Sequence, residues 1–368
     1  MQNRALAAIS LMPQDDFRES VEVLLRDGVI EAVEWSFDMG WGLDLPDWVE
    51  AILKDYERKN KLFGHGVNCS PCSMQSNDAW LQRLKLECAE RQFGLISEHY
   101  GFMHTREQKE GAPFPVPYAP PFVSATQQCL RTMIEISGCP VGLENLAFSF
   151  SRVDALSQGA ILEAIVSPIN GFLLLDVHNF YCQLHNFKLE PQELLDTIPL
   201  NRVRAIHISG GSWTDLGNVR IRRDTHDSPV PLEVFELLPI ILKQCPNVQY
   251  VVLERLGNTL PERNDRIQLV NDFHRMREIT AGTEVGASTS RTVRHREPEI
   301  YDLCIDGASY YQDRLLELLN YCETPSQVIA SLLSDNRLTA LTSYFESFDP
   351  HMVAIAQELV RRWSMSAT

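Results

Sequence analysis

Eight short apolar runs, each followed by a longer amphipathic stretch, constrain this chain more than any other feature. The runs are RALAAISL (4–11), VIEAVEWS (29–36), LFGHGVN (62–68), FGLISEH (93–99), VGLENLA (141–147), FLLLDVH (172–178), VRAIHIS (203–209) and VQYVVLE (248–254). Between them, PDWVEAILKDYERK and NDAWLQRLKLECAERQ repeat apolar residues every three or four positions, with charges opposite, the helical period. SATQQCLRTMIEISG opens on Ser124, a candidate N-cap, and closes on Gly138. Near-continuous apolar strands alternating with helices imply parallel strands buried on both faces. Eight such units within residues 1–280 predict an α/β fold, a (β/α)8 TIM-type barrel. An open doubly wound sheet is the rival, but no Gly-rich dinucleotide loop follows the first run. Residues 281–298, AGTEVGASTSRTVRHREP, are small and polar without apolar period and read as a linker. Residues 299–368 carry four short amphipathic segments and predict a small C-terminal all-α unit, with docking as its default role.

Composition narrows the partners. A formal net charge of -16 argues against nucleic acid, which needs a basic face. Arg220, Arg222 and Arg223 cluster in NVRIRRDTH; a solvated loop is the simplest reading of them. No apolar run reaches the ~20 residues that span a bilayer, and the N-terminal stretch reads as a buried strand rather than a signal peptide. Nine scattered cysteines fit a reducing, cytoplasmic setting. Cys69 and Cys72 form a lone CxxC, a weak signal for redox or zinc chemistry.

In such barrels the chemistry sits at the C-terminal ends of the strands, and there the chain concentrates ligand-type side chains. The second run carries Glu34 and the third His65; the fourth ends in Glu98 and His99, and the fifth carries Glu144. The sixth carries Asp176 and His178, whose spacing of two puts both on one side of a strand. The seventh carries His207, the eighth Glu254, and the loop after the seventh adds Asp224 and His226. Buried polar groups are costly unless paired or bound to metal. Each alone reads more simply as a satisfied hydrogen-bonder; the set points to metal. Imidazole and carboxylate without thiolate suit iron, manganese or zinc. So many donors exceed the four that one zinc takes, which favours two or three ions bridged by a carboxylate such as Glu144 or Glu254.

SEHYGF, GLENLA, LLLDVHNFY, AIHISGG, DTHDSPVP and VVLERLGN, in this order, resemble the multinuclear non-heme iron-dependent oxidative enzymes, the MbnB-like family also called domain of unknown function 692. The resemblance covers about residues 1–280. It implies a TIM-type barrel holding two or three irons in mixed Fe(II)/Fe(III) states. It also implies O2-dependent modification of a ribosomally synthesised precursor peptide, often at cysteine, with a partner protein that grips the leader peptide. The family's metal ligands would fall on His65, His99, Glu144, Asp176, His207, Asp224, His226 and Glu254. The chain departs from the pattern at three places. His178-Asn179 stands where two asparagines are usual, so either residue is a candidate ligand. Gly211 stands where a second histidine is usual, and Asp38 in WSFDMGW is the nearest substitute for an early acidic motif. Arg223 and Arg255 are candidates to hold a peptide carboxylate. The alternative function is a divalent-metal hydrolase or isomerase of the endonuclease-like or xylose isomerase-like barrels. A third is an inert barrel whose helical tail binds peptide.

Overall fold

A computed structural model describes residues 4–105, 112–286 and 298–366. The strands are β1 (Leu6–Leu11), β2 (Ala32–Trp35), β3 (Leu62–Gly66), β4 (Ile96–His99), β5 (Val141–Glu144), β6 (Phe172–Asp176), β7 (Val203–Ile208), β8 (Trp213–Leu216), β9 (Val219–Arg222) and β10 (Tyr250–Leu253). The helices of the first part are α1 (Asp15–Arg26), α2 (Asp47–Arg58), α3 (Asp78–Glu90), α4 (Pro120–Ser137), α5 (Arg152–Val166), α6 (Val177–Phe187), α7 (Pro191–Leu195), α8 (Leu232–Leu242) and α9 (Arg263–Gly282). Then follow α10 (Ile305–Tyr321), α11 (Pro325–Leu333), α12 (Thr342–Glu346) and α13 (Pro350–Ser366). Eight parallel strands close in the order β1-β10-β7-β6-β5-β4-β3-β2, so the open doubly wound alternative fails. Each predicted run contains one barrel strand.

The period of two along a strand sorts the barrel interior into layers. The lower interior is a separate apolar cluster of Ala8, Ala32, Phe63, Leu95, Phe172, Leu174, Ala205 and Val252, with Tyr250 stacked on Phe63 at 4.7 Å between ring centroids. Two residues further along the same strands stand Ser10, Glu34, His65, Ser97, Asp176, His207 and Glu254. The ladder pairs Ser10 with Glu34, His65 with Ser97, His99 with Glu144 and Asp176 with His207. The apolar layer is the floor and the polar layer the working surface.

Three local expectations change. The β6 strand ends at Asp176, and His178 lies in the first turn of α6. Asp176 caps that helix by accepting the Asn179 amide, so the shared-strand-face argument for Asp176 and His178 does not hold. Helix α4 starts at Pro120, with proline in its first turn, rather than at Ser124, because fixed φ suits that position; it closes on left-handed Gly138 as expected. The stretch around Arg220–Arg222 is a β8–β9 hairpin, not a solvated loop.

The C-terminal region is all helical and packs on the barrel. Phe348 stacks on Phe150 at 4.4 Å, Gln312 bonds the Cys72 carbonyl and the Met74 amide, and the Asp349 amide donates to the Phe150 carbonyl. Of the expected linker, residues 287–297 lie outside the described residues; Ala281 and Gly282 complete α9.

Candidate metal centre

The polar layer converges on the axis. His65 Nε2 and His99 Nε2 lie 3.4 Å and 3.5 Å from the same Glu144 oxygen. His207 bridges two acids, with Nε2 2.8 Å from Glu34 and Nδ1 3.0 Å from Glu254. The His65 ring is 4.9 Å from that of His99 and 5.3 Å from that of His207. Among the described residues, three groups place one donor atom each within 4.8 Å of one another: His65–His99–Glu144, Glu34–His207–Glu254 and Glu144–Asp176–His207. Shared Glu144 and His207 link the three groups into one centre.

The network of polar contacts continues into the loop after β9. Asp224 accepts from His178 Nδ1 at 2.8 Å, His226 Nε2 at 2.7 Å and Ser209 at 3.1 Å, and His226 Nδ1 is 3.5 Å from Glu254. His226 has φ of 52°, a left-handed conformation that only surrounding structure sustains in a non-glycine residue; its carbonyl accepts the Leu256 amide. The loop reaches β7 because of glycine. A Cβ on Gly211 would lie 2.1 Å from the Arg223 carbonyl and 2.8 Å from the His178 ring. Two of the sequence departures therefore touch: the imidazole of His178 occupies the space that any side chain at 211 would need.

Hydrogen bonds orient the site's side chains and fix the proton of one ring. Ser97 bonds His65 Nδ1 at 2.9 Å, which leaves Nε2 facing Glu144. Arg222 donates to His178 Nε2 at 3.0 Å. A guanidinium only donates, so His178 Nε2 accepts and Nδ1 carries the proton given to Asp224. Both ring nitrogens of His178 are thus engaged. Asn179 donates to Glu144 at 3.0 Å and to the Asn145 carbonyl, while Asn145 bonds both backbone groups of Asp176.

Electrostatics mark the site as unbalanced without a cation. Burial pushes Glu144 well above the usual carboxylate range. Asp176 rises to about 8, by burial and then by the charge of Asp224. Burial lowers His65 well below its ordinary value, helped by His99 and His207, and lowers His99 to about 4. Burial also opposes a charged His207, but Glu254 and Glu34 outweigh it and raise its pKa. Among the described residues Glu34 Oε1, Glu144 Oε2, Asp176 Oδ2, Asn179 Oδ1 and His99 Nδ1 are buried with no hydrogen-bond partner. Unpaired buried polar atoms are rare and costly. Nitrogen and carboxylate oxygen at these spacings fit bridged divalent or trivalent ions.

The remaining sequence candidates separate. Arg223 pairs with Glu358 at 2.7 Å, and Arg255 is held by Thr259. Arg222 is only 6% exposed, between Trp213 and Tyr181, which corrects the solvated reading. Asp38 holds the Val67 and Asn68 amides and the Trp80 indole, away from the three groups. Glu34, absent from the resemblance-based ligand set, takes part instead. Its signal was available: Ala32 and Glu34 alternate as the other inward pairs do. Cys69 and Cys72 are buried; Cys69 faces Cys129 at 3.9 Å, and Cys72 accepts from Thr126.

Comparison with known proteins adds to this geometry. The family described as RiPP precursor modification enzyme MbnB/TglH/ChrH matches residues 43–281. A UPF0276 protein of Shewanella loihica is 25% identical over 223 residues, covering 60% of this chain and 78% of its own. One of Rhizorhabdus wittichii is 27% identical over 226 residues, covering 60% and 79%. Among solved structures, the D-allulose 3-epimerase of a Methylomonas species gives a TM-score of 0.43 at 13% identity, over 75% of this chain and 98% of that one.

Proposed function

Because the chain belongs to the RiPP precursor modification enzymes MbnB/TglH/ChrH, we propose that it is an oxidase or oxygenase that uses two or three iron ions and O2 to modify a precursor peptide, often at cysteine. Metal-dependent action on a peptide follows from the family and from the linked donor groups; iron, O2 and the modified residue are the proposal. The observation that carries it is the row of partnerless buried donors around Glu144 and His207. We assign Glu34, His65, His99, Glu144, Asp176, Asn179, His207, Asp224, His226 and Glu254 as the pool of ligands. His178 we assign to orienting Asp224, since Arg222 holds its other nitrogen. A partner protein that grips the leader peptide and a cytoplasmic location belong to the same proposal; no helix among the described residues is long and apolar enough to cross a membrane.

When bound, the metal ions would supply redox chemistry and open coordination positions for substrate and O2. The chain's own residues do the rest. Ser97 holds the orientation of the His65 ring, Asn179 and Asn145 orient Glu144 and Asp176, and the apolar floor keeps water from below. Partners of this kind raise ligand basicity and fix ring orientation.

The test is metal content of protein purified without oxygen, with Mössbauer spectroscopy alongside. Two or three irons per chain, lost in His207→Ala and in Glu254→Ala, is the expected result. A single zinc or manganese with no iron would move the chain to the hydrolase or isomerase class, and no metal at all would leave a scaffold.

A further inference from the structure

Helix α13 presents two apolar faces. One belongs to the helical region: Val353, Ala356 and Val360 are fully buried, and Gln357 and Arg361 beside them bond the carbonyls of Cys322 and Asn320 at the end of α10. The other repeats at Met352, Ile355 and Leu359, one helical face by spacing. These three line a cavity of ≈ 350 Å³ whose opposite wall includes His99, Asn179 and Asp224. The volume lies in the range of small-molecule and side-chain pockets. The cavity therefore joins the metal centre to the C-terminal helices, which lie outside the family match at residues 43–281.

The polar side chains at this opening are held by neighbours within the chain. Arg223 pairs with Glu358 of α13 at 2.7 Å. Arg222 is tied to His178, and Asp224 to His178 and His226. A charged substrate side chain laid against Met352, Ile355 and Leu359 would lose its hydration on an apolar wall, which is costly. An apolar side chain would gain contact with Met352, Ile355, Leu359 and Phe148.

We propose that Met352, Ile355 and Leu359 are specificity-determining residues of the entrance, and that the peptide accepted there sets an uncharged apolar side chain beside the residue to be modified. This rests on the peptide-modifying reading of the site. It assigns the helical region a part in substrate selection, as one wall of the same cavity.

The experiment titrates a panel of synthetic pentapeptides, Gly-Xaa-Cys-Xaa-Gly with Xaa as Leu, Phe, Asn or Asp, into the full-length chain under anaerobic conditions by calorimetry. The Leu and Phe members should bind about ten-fold tighter than the Asp member, the scale of a well-formed apolar subsite. Leu359 is partly exposed and is the position to change. Leu359→Asp should abolish the preference, Leu359→Ala should weaken it, and Leu359→Met should retain it. An order of affinities that ignores Xaa, a preference untouched by Leu359→Asp and Leu359→Ala, or no binding of any member overturns the proposal. Iron content measured on the same preparations reads the metal-centre proposal separately, because Leu359 is no ligand. Iron-loaded protein with no side-chain preference would reject only the wall.

Discussion

Arg222 reaches the metal centre through two other residues. Its guanidinium sits on the Trp213 and Tyr181 rings and holds the His178 ring, which in turn aims a proton at Asp224. Arg222→Met removes the donor and frees His178 to adopt the other tautomer. The expected outcome is about 10–100-fold weaker metal affinity, the usual effect of losing a residue that orients a ligand, read by competition with a chelator of known strength. Retained affinity would reduce the chain of bonds to packing. Most of the inward residues were legible in the sequence because they extend an alternating pattern, as in Phe63–His65 and Ala205–His207. The partnership of Arg222 was not, because it depends on a hairpin folding back against α6, and no local period encodes that approach. Gly211 was visible as a departure, but its reason, the carbonyl of Arg223 against it, exists only in three dimensions.

Among the elements, the strands were easier to read than the helix starts. Strand β6 looked two residues longer than it is, since DVH continues the apolar run; the Asp176 cap ends it, and capping competes with the strand pattern through a side-chain bond that sequence shows only weakly. The junction of α5 with the C-terminal helices was not legible at all. There Asp154 is fully enclosed near Tyr344 of α12, and burial raises its pKa to about 7 although the Phe150 amide pulls the other way. A carboxyl raised in the folded state gives stability that is full below its unfolded value of 3.8 and is lost as pH rises through about 7. Between pH 5 and pH 8 wild type should therefore lose stability relative to Asp154→Asn. Urea unfolding of both proteins at the two pH values measures this, and a difference that stays constant would show that Asp154 ionises freely in the fold.

At the scale of the molecule, closure of eight strands brings acids and imidazoles from distant parts of the chain to one layer, where Glu34 and His207 are 173 residues apart yet within 2.8 Å. Folding alone leaves those groups under-satisfied, and a ligand that binds only the folded state adds stability by mass action, about 2.7 kcal/mol at a hundred times its Kd. Chelation of the purified protein should lower its Tm, and return of Fe(II) without oxygen should restore it. An unchanged Tm would mean that the polar layer is stable without ions.

The packed floor has one more consequence. Phe63, Phe172 and Tyr250 stop the barrel from below, which makes the reaction chamber a cul-de-sac. A peptide cannot be threaded through it like a rope through a pulley. It has to dip in as a bend or a free end and back out by the same door, so successive modifications along one peptide require repeated withdrawal and re-insertion, and the spacing between modified residues would be set by how sharply the peptide can fold on itself.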